Sequence, residues 1–127
     1  MGEDPRILVT LPFMPYTVGG GFSYDPVAPT KQHGPMFLAS GGMDTIATAS
    51  TNQQPIFDAS TVPTFWGTLV SADDVSFAGG SQTDWLAPST AWFRLFLMCD
   101  QSARAVFYGS SCTLCGDSKW TVQRKNM

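Results

Sequence analysis

Cys112-Thr-Leu-Cys115-Gly116 is the sharpest chemical motif in the chain. Two thiolates three residues apart, followed by glycine, form the turn that grips zinc in knuckle sites. A structural zinc takes four ligands, and only Cys99 and His33 remain to complete the set. The plainer reading is a pair of partly buried free thiols in a hairpin turn. A disulfide between two of the three cysteines would leave one thiol over. A redox pair ranks below both, because that motif opens a helix in a βαβ setting. His33, the only histidine, sits in the loop-like run Lys31–Pro35. Cysteine catalysis would need it beside a thiol with a third group orienting it, and no such signature is present. The chain therefore reads as no enzyme.

Asp73 and Asp74, with Asp25, Asp84 and Asp117, could supply oxygens to calcium. None has the EF-hand spacing, and aspartate is expected in turns for its bonds to nearby backbone amides. No metal and no cofactor is expected. Cys112, Cys115, Asp73 and Asp74 are the only metal candidates.

Trp85-Leu86-Ala87-Pro88 lies between polar runs, Ser81–Asp84 and Ser89-Thr90. An aromatic loop of this kind either plugs the core or forms an exposed contact patch. Trp66 follows Phe65 in a predicted strand, where neighbours point to opposite faces. One of the two must then meet a second layer or another subunit. Trp85, Leu86 and Trp66 are the candidates for a dimer or receptor contact.

The elements that must position these residues follow from composition. The chain has 127 residues, 43% hydrophobic and only 13% charged. Length predicts one domain over 1–127. Glu3 is the only glutamate and the lysines are Lys31, Lys119 and Lys125, while Ser and Thr fill 25 positions. Surface helices are normally filled with Glu and Lys, so the surface reads as non-helical. Aromatic, Thr and Val content suits strands. Candidate strands are Arg6–Leu11, Met36–Ser40, Thr45–Ser50, Pro55–Ala59, Phe65–Val70, Val75–Ala78, Trp92–Met98, Ala105–Gly109 and Lys119–Arg124.

Runs of this kind, separated by Gly, Pro, Asp and Ser, predict an all-β fold. The expected form is an antiparallel jelly-roll-like sandwich of about eight or nine short strands. Trp92–Met98 is apolar on both faces except at Arg94, which suits a central strand or one face in a subunit interface. A buried Arg94 would need a carboxylate partner. Segment 12–35 reads as a long, Pro- and Gly-rich connection. One helical turn is expected around Asp100–Arg104, with Asp100 as its cap.

The formal net charge is −3, and the only basic cluster is Arg124-Lys125 with Lys119 nearby. Nucleic-acid binding through a basic field is therefore not expected. Residues 1–11 lack the apolar core of a signal peptide. The longest apolar run, Ala91–Met98, is too short to span a bilayer, so no membrane insertion is expected.

Two stretches carry a family resemblance: Leu11–Pro26 (LPFMPYTVGGGFSYDP) and Cys112–Asn126 (CTLCGDSKWTVQRKN). With the length, they make nearly the whole chain resemble the C-terminal protrusion domain of a shrimp or prawn nodavirus capsid protein. The resemblance implies a jelly-roll-like β structure that pairs into dimeric spikes on an icosahedral particle and serves host-cell attachment. It implies three partners: a second copy, the shell domain of the same capsid protein, and a host receptor, protein or glycan. It places the domain on the virion surface after assembly in the host cytoplasm. Fish nodavirus protrusion domains use closely spaced aspartates for calcium, a spacing that Asp73-Asp74 does not reproduce. The other reading is a carbohydrate-binding β-sandwich of non-viral origin, with Trp85 on the sugar and Asp84 or Asn52 as polar partners.

Overall fold

The structure is a computed structural model that describes residues 4–18, 28–73 and 82–127. Its centre is a small sheet. Strand β1 (Met36–Gly41) is buried along its whole length, and β2 (Thr64–Leu69) almost so. The two run parallel, in register from Met36 opposite Thr64 to Gly41 opposite Leu69. Strand β3 (Trp120–Lys125) pairs antiparallel with β2, so the order is β1-β2-β3. Pro35 and Pro63 stand before β1 and β2, where proline is tolerated at a strand entrance. The segment around Thr10–Met14 lies parallel to β1 on its other edge. There the Phe37 and Ala39 N–H groups donate to the Thr10 and Pro12 carbonyls, each at 3.0 Å. Part of the expected long connection is thus an edge cover rather than a free loop.

Both sheet faces are covered, as side-chain alternation along a doubly buried strand requires. Phe37, Ala39, Phe65 and Leu69 face the larger core, and Met36, Leu38 and Trp66 the smaller one. Phe65 and Trp66 are therefore both internal, and the second layer belongs to the chain itself. Parallel strands need a crossover. Between β1 and β2 it is a π turn (Ala49–Gln53) running into helix α1 (Gln54–Ala59), which packs Ile56 and Phe57 against Trp66. Between β2 and β3 come helix α2 (Gln82–Leu97), a 3-10 turn (Gln101–Val106) and the short helix α3 (Thr113–Gly116). These bring Trp85, Trp92, Leu95, Phe107 and Leu114 onto the larger core. Gly67 makes room there. A Cβ on it would stand 3.1 Å from Cε2 of Phe37 and 3.2 Å from the Trp120 ring.

The expected all-β jelly-roll-like sandwich is overturned. The described residues hold three strands in one mixed sheet, with helices packed on both sides. Met36–Ser40, Phe65–Val70 and Lys119–Arg124 coincide with strands, but Pro55–Ala59 is α1 and Trp92–Leu97 is the last part of α2. Ala105–Gly109 leaves the 3-10 turn, Thr45–Ser50 is bends entering the π turn, and Arg6–Leu11 contributes one bridge, at Thr10. Val75–Ala78 lies outside the described residues.

The physical reason for the largest error is helical period. Trp85, Pro88, Trp92 and Leu95 are all buried, at the spacing of one helix face. The burial of that face outweighs the strand preference of Trp and Phe and the N–H missing at Pro88. An outer side of Leu86, Thr90, Phe93, Arg94 and Leu97, with neither Glu nor Lys, proves sufficient. The turn at Asp100 forms as the sequence predicts: its carboxylate accepts the Ser102 N–H at 3.0 Å.

Candidate functional site

The cysteine motif is closed on itself. Cys112 and Cys115 are joined by a disulfide, so neither is a free thiol nor a thiolate ligand. Cys112 is buried and caps α3, its sulfur accepting the Cys115 N–H at 3.1 Å. The expected free thiols are thereby corrected, because the one-turn helix brings the two Cα atoms to 5.0 Å, within disulfide reach. Cys99, the odd cysteine, is free and exposed just beyond α2, at a backbone φ of 55°. Among the described residues no three His, Cys, Asp or Glu side chains converge on a common point. Asp73 follows β2, while Asp74 and Asp25 lie outside the described residues. Asp117 is a turn aspartate that accepts the Lys119 N–H at 2.9 Å. His33 is exposed in the loop before β1.

Of the three contact candidates, only Leu86 reaches the surface, 65% exposed. Trp85 is 2% exposed and lies between Phe13 and Trp120, ring centroids 4.6 and 5.0 Å away. Among the described residues its Nε1–H has no acceptor. Trp66 is also buried and donates its Nε1–H to Ser40 Oγ at 2.7 Å. A helix rather than a loop carries Trp85 and Leu86, and consecutive helical residues point about 100° apart, one inward and one outward. The polar partners assigned to a sugar are also engaged. Asn52 is buried and its Oδ1 accepts the N–H groups of Thr17 and Val18 at 2.7 and 3.1 Å. Asp84 pairs with Lys119 at 2.8 Å, which raises the lysine above its ordinary pKa through the hydrogen bond and then the charge.

The outer side of α2 is the surface feature that composition did not announce. Leu86, Phe93, Leu97 and the following Met98 are exposed, with Thr83 and Thr90 between them. Thr83, Leu86, Thr90, Phe93 and Leu97 alternate three and four residues apart, the seam spacing of helices that meet partners. That spacing was present in the sequence and is the signal a strand reading passes over.

Beside the seam and sharing Thr90 with it, Ala87, Ala91 and Arg94 of α2 and Ser102, Ala103 and Val106 of the 3-10 turn line a groove of about 420 Å³. Arg94, the charged residue on this side, is paired with Asp100 at 2.6 Å. It is half exposed, so burial, the condition under which the sequence called for a carboxylate partner, is not met. Asp100 is held below the usual carboxylate range by its bonds to the Ser102 hydroxyl and N–H, with Arg94 adding to them. The arrangement is an apolar ridge and a shallow groove side by side. No helix among the described residues is long and apolar enough to cross a membrane. No protein-family model matches the chain, and no curated protein matches it.

Proposed function

We propose that this chain is a surface display module. It pairs with its own copy and presents loops to a host-cell receptor, as the protrusion domain of a shrimp or prawn nodavirus capsid protein does. The jelly-roll implied by that resemblance is not formed, so the reading rests on the two resembling stretches and on the surface. The observation that carries it is the exposed apolar seam of α2 in a chain with so little charge. Hydrophobic ridges of this kind mark interaction sites. The reading takes the chain as non-enzymatic. The carbohydrate-module alternative loses its platform, since Trp85 is inside.

Cell attachment tests it. Labelled chain should bind cultured crustacean cells saturably, and excess unlabelled chain should reduce infection by nodavirus particles at least fivefold. Binding no greater than that of an unrelated acidic domain of similar size, with infection unchanged, overturns the reading.

A further inference from the structure

We infer that the outer face of α2 and the groove beside it are where a second copy of this chain docks, about a two-fold axis. The inference deepens the pairing half of the function proposed above and rests on it. A two-fold contact is isologous: one patch must be complementary to itself. A ridge beside a groove meets that demand, because the ridge of each copy fills the groove of the other. Here the ridge is Leu86, Phe93 and Leu97, and the groove is floored by Ala87, Ala91 and Ala103. The small alanines let a second helix approach closely, and Thr90 at the middle of the seam adds little bulk.

Charge favours a like partner. A patch with net charge repels its own copy, whereas Arg94 is already neutralised by Asp100 at 2.6 Å. Size is also adequate. Leu86, Phe93, Leu97 and Met98 are 65, 39, 53 and 71% exposed. They present on the order of 400 Å² of apolar surface. With Thr83, Ala87, Thr90 and the Arg94 stem the face reaches roughly 700 Å², close to the ~800 Å² per partner of a standard interface. Its ridge is apolar, and the one charged side chain lining the groove, Arg94, is already paired with Asp100.

Sedimentation velocity on the chain, from about 1 to 100 µM, reads the outcome. The wild type is expected to sediment as a dimer. Phe93→Asp with Leu97→Asp should weaken the dimer at least 100-fold. Both side chains are exposed, so the near-ultraviolet signal of the buried tryptophans should stay unchanged. Leu8→Asp, exposed at 63% and not part of the α2 seam, should leave the dimer intact. A wild-type dimer indifferent to the α2 charges overturns this assignment and leaves pairing through another surface standing. A wild type that stays monomeric throughout removes both. If it stays monomeric while the α2 charges abolish cell binding, the face belongs to a receptor and the inference is likewise overturned.

Discussion

The indole of Trp85 meets that of Trp120 edge to face, with centroids 5.0 Å apart and planes at 90°. This contact fastens α2 to β3, and Phe13 on the other side of Trp85 extends it to the N-terminal segment. Trp85→Ala should cost about 3–5 kcal/mol, the range for emptying a buried aromatic site. A double-mutant cycle with Trp120→Ala should return a coupling of about 0.5–1.5 kcal/mol. Urea denaturation followed by circular dichroism measures both. A loss below about 1 kcal/mol for Trp85→Ala would place the indole at the surface.

Ser40 and Trp66 form a second buried pair, on the opposite face of the sheet. Ser40→Ala strands the Trp66 N–H without an acceptor and should cost about 1–3 kcal/mol. Trp66→Phe in the Ser40→Ala background removes the stranded donor and should recover part of that loss. The order of stabilities in urea checks the asymmetry. If Ser40→Ala is neutral, the hydrogen bond is not formed.

The Cys112–Cys115 disulfide closes a loop of two intervening residues, so its effect on the unfolded chain is small. Reduction should lower stability by about 2 kcal/mol, or about 6 °C in melting temperature. In a Cys99→Ser background, thiol titration of the native chain should find no free thiol before reduction and two after it. Melting unaffected by reductant would mean that α3 holds its place without the bond.

The ion pairs set a pH dependence of definite sign. Asp100 has its pKa lowered in the fold, so the stability it contributes is present above the ordinary aspartate range. It is lost as pH falls through the lowered value. Asp100→Asn keeps a capping acceptor and removes only the charge. The wild type should therefore out-melt this variant near neutral pH, and the gap should close as pH falls through the lowered Asp100 value. Lys119 is raised, so its contribution holds through neutral pH and is lost only as pH rises through that raised value. Lys119 is solvent-exposed and Asp100 half-buried, so salt should shrink both effects, and the lysine's more. A gap that widens in acid would contradict the assignment.

The positions of the three strands were the legible part of this fold; their pairing was not, because an antiparallel sandwich was expected and β1 and β2 run parallel. Pro35 and Pro63 mark the entrances to β1 and β2, Gly41-Gly42 marks the exit of β1, and the alternation of Trp120 and Val122 is a plain strand signal. The helices were hidden for specific reasons. Pro55 at the first turn of α1 is a helix starter that also punctuates strands. In α2, Trp92, Phe93 and Phe96 mimic a strand locally, and only the longer register through Trp85 and Pro88 shows the helical period. The absence of Glu and Lys from α2 reflects what it shows to the outside, not whether it is a helix. For the site, spacing could not decide between thiols, metal and disulfide, because that depends on the backbone turn at Cys112. Leu86 was found by its type, and Trp85 was placed with it only because both were read as one loop.

The parallel pairing of β1 with β2 has a consequence in time. Among the described residues no two neighbouring strands form a hairpin: Met36 meets Thr64, and Thr64 meets Lys125. Every ladder therefore waits on the closure of a long loop, and sheets of this kind assemble slowly, in milliseconds to seconds. During that interval the bare edges of β1 and β2 and the seam of α2 are exposed together. A chain proposed to recognise its own copy is then at greatest risk of joining the wrong surfaces. Its yield of native material should fall with protein concentration during refolding, well before its native stability is affected.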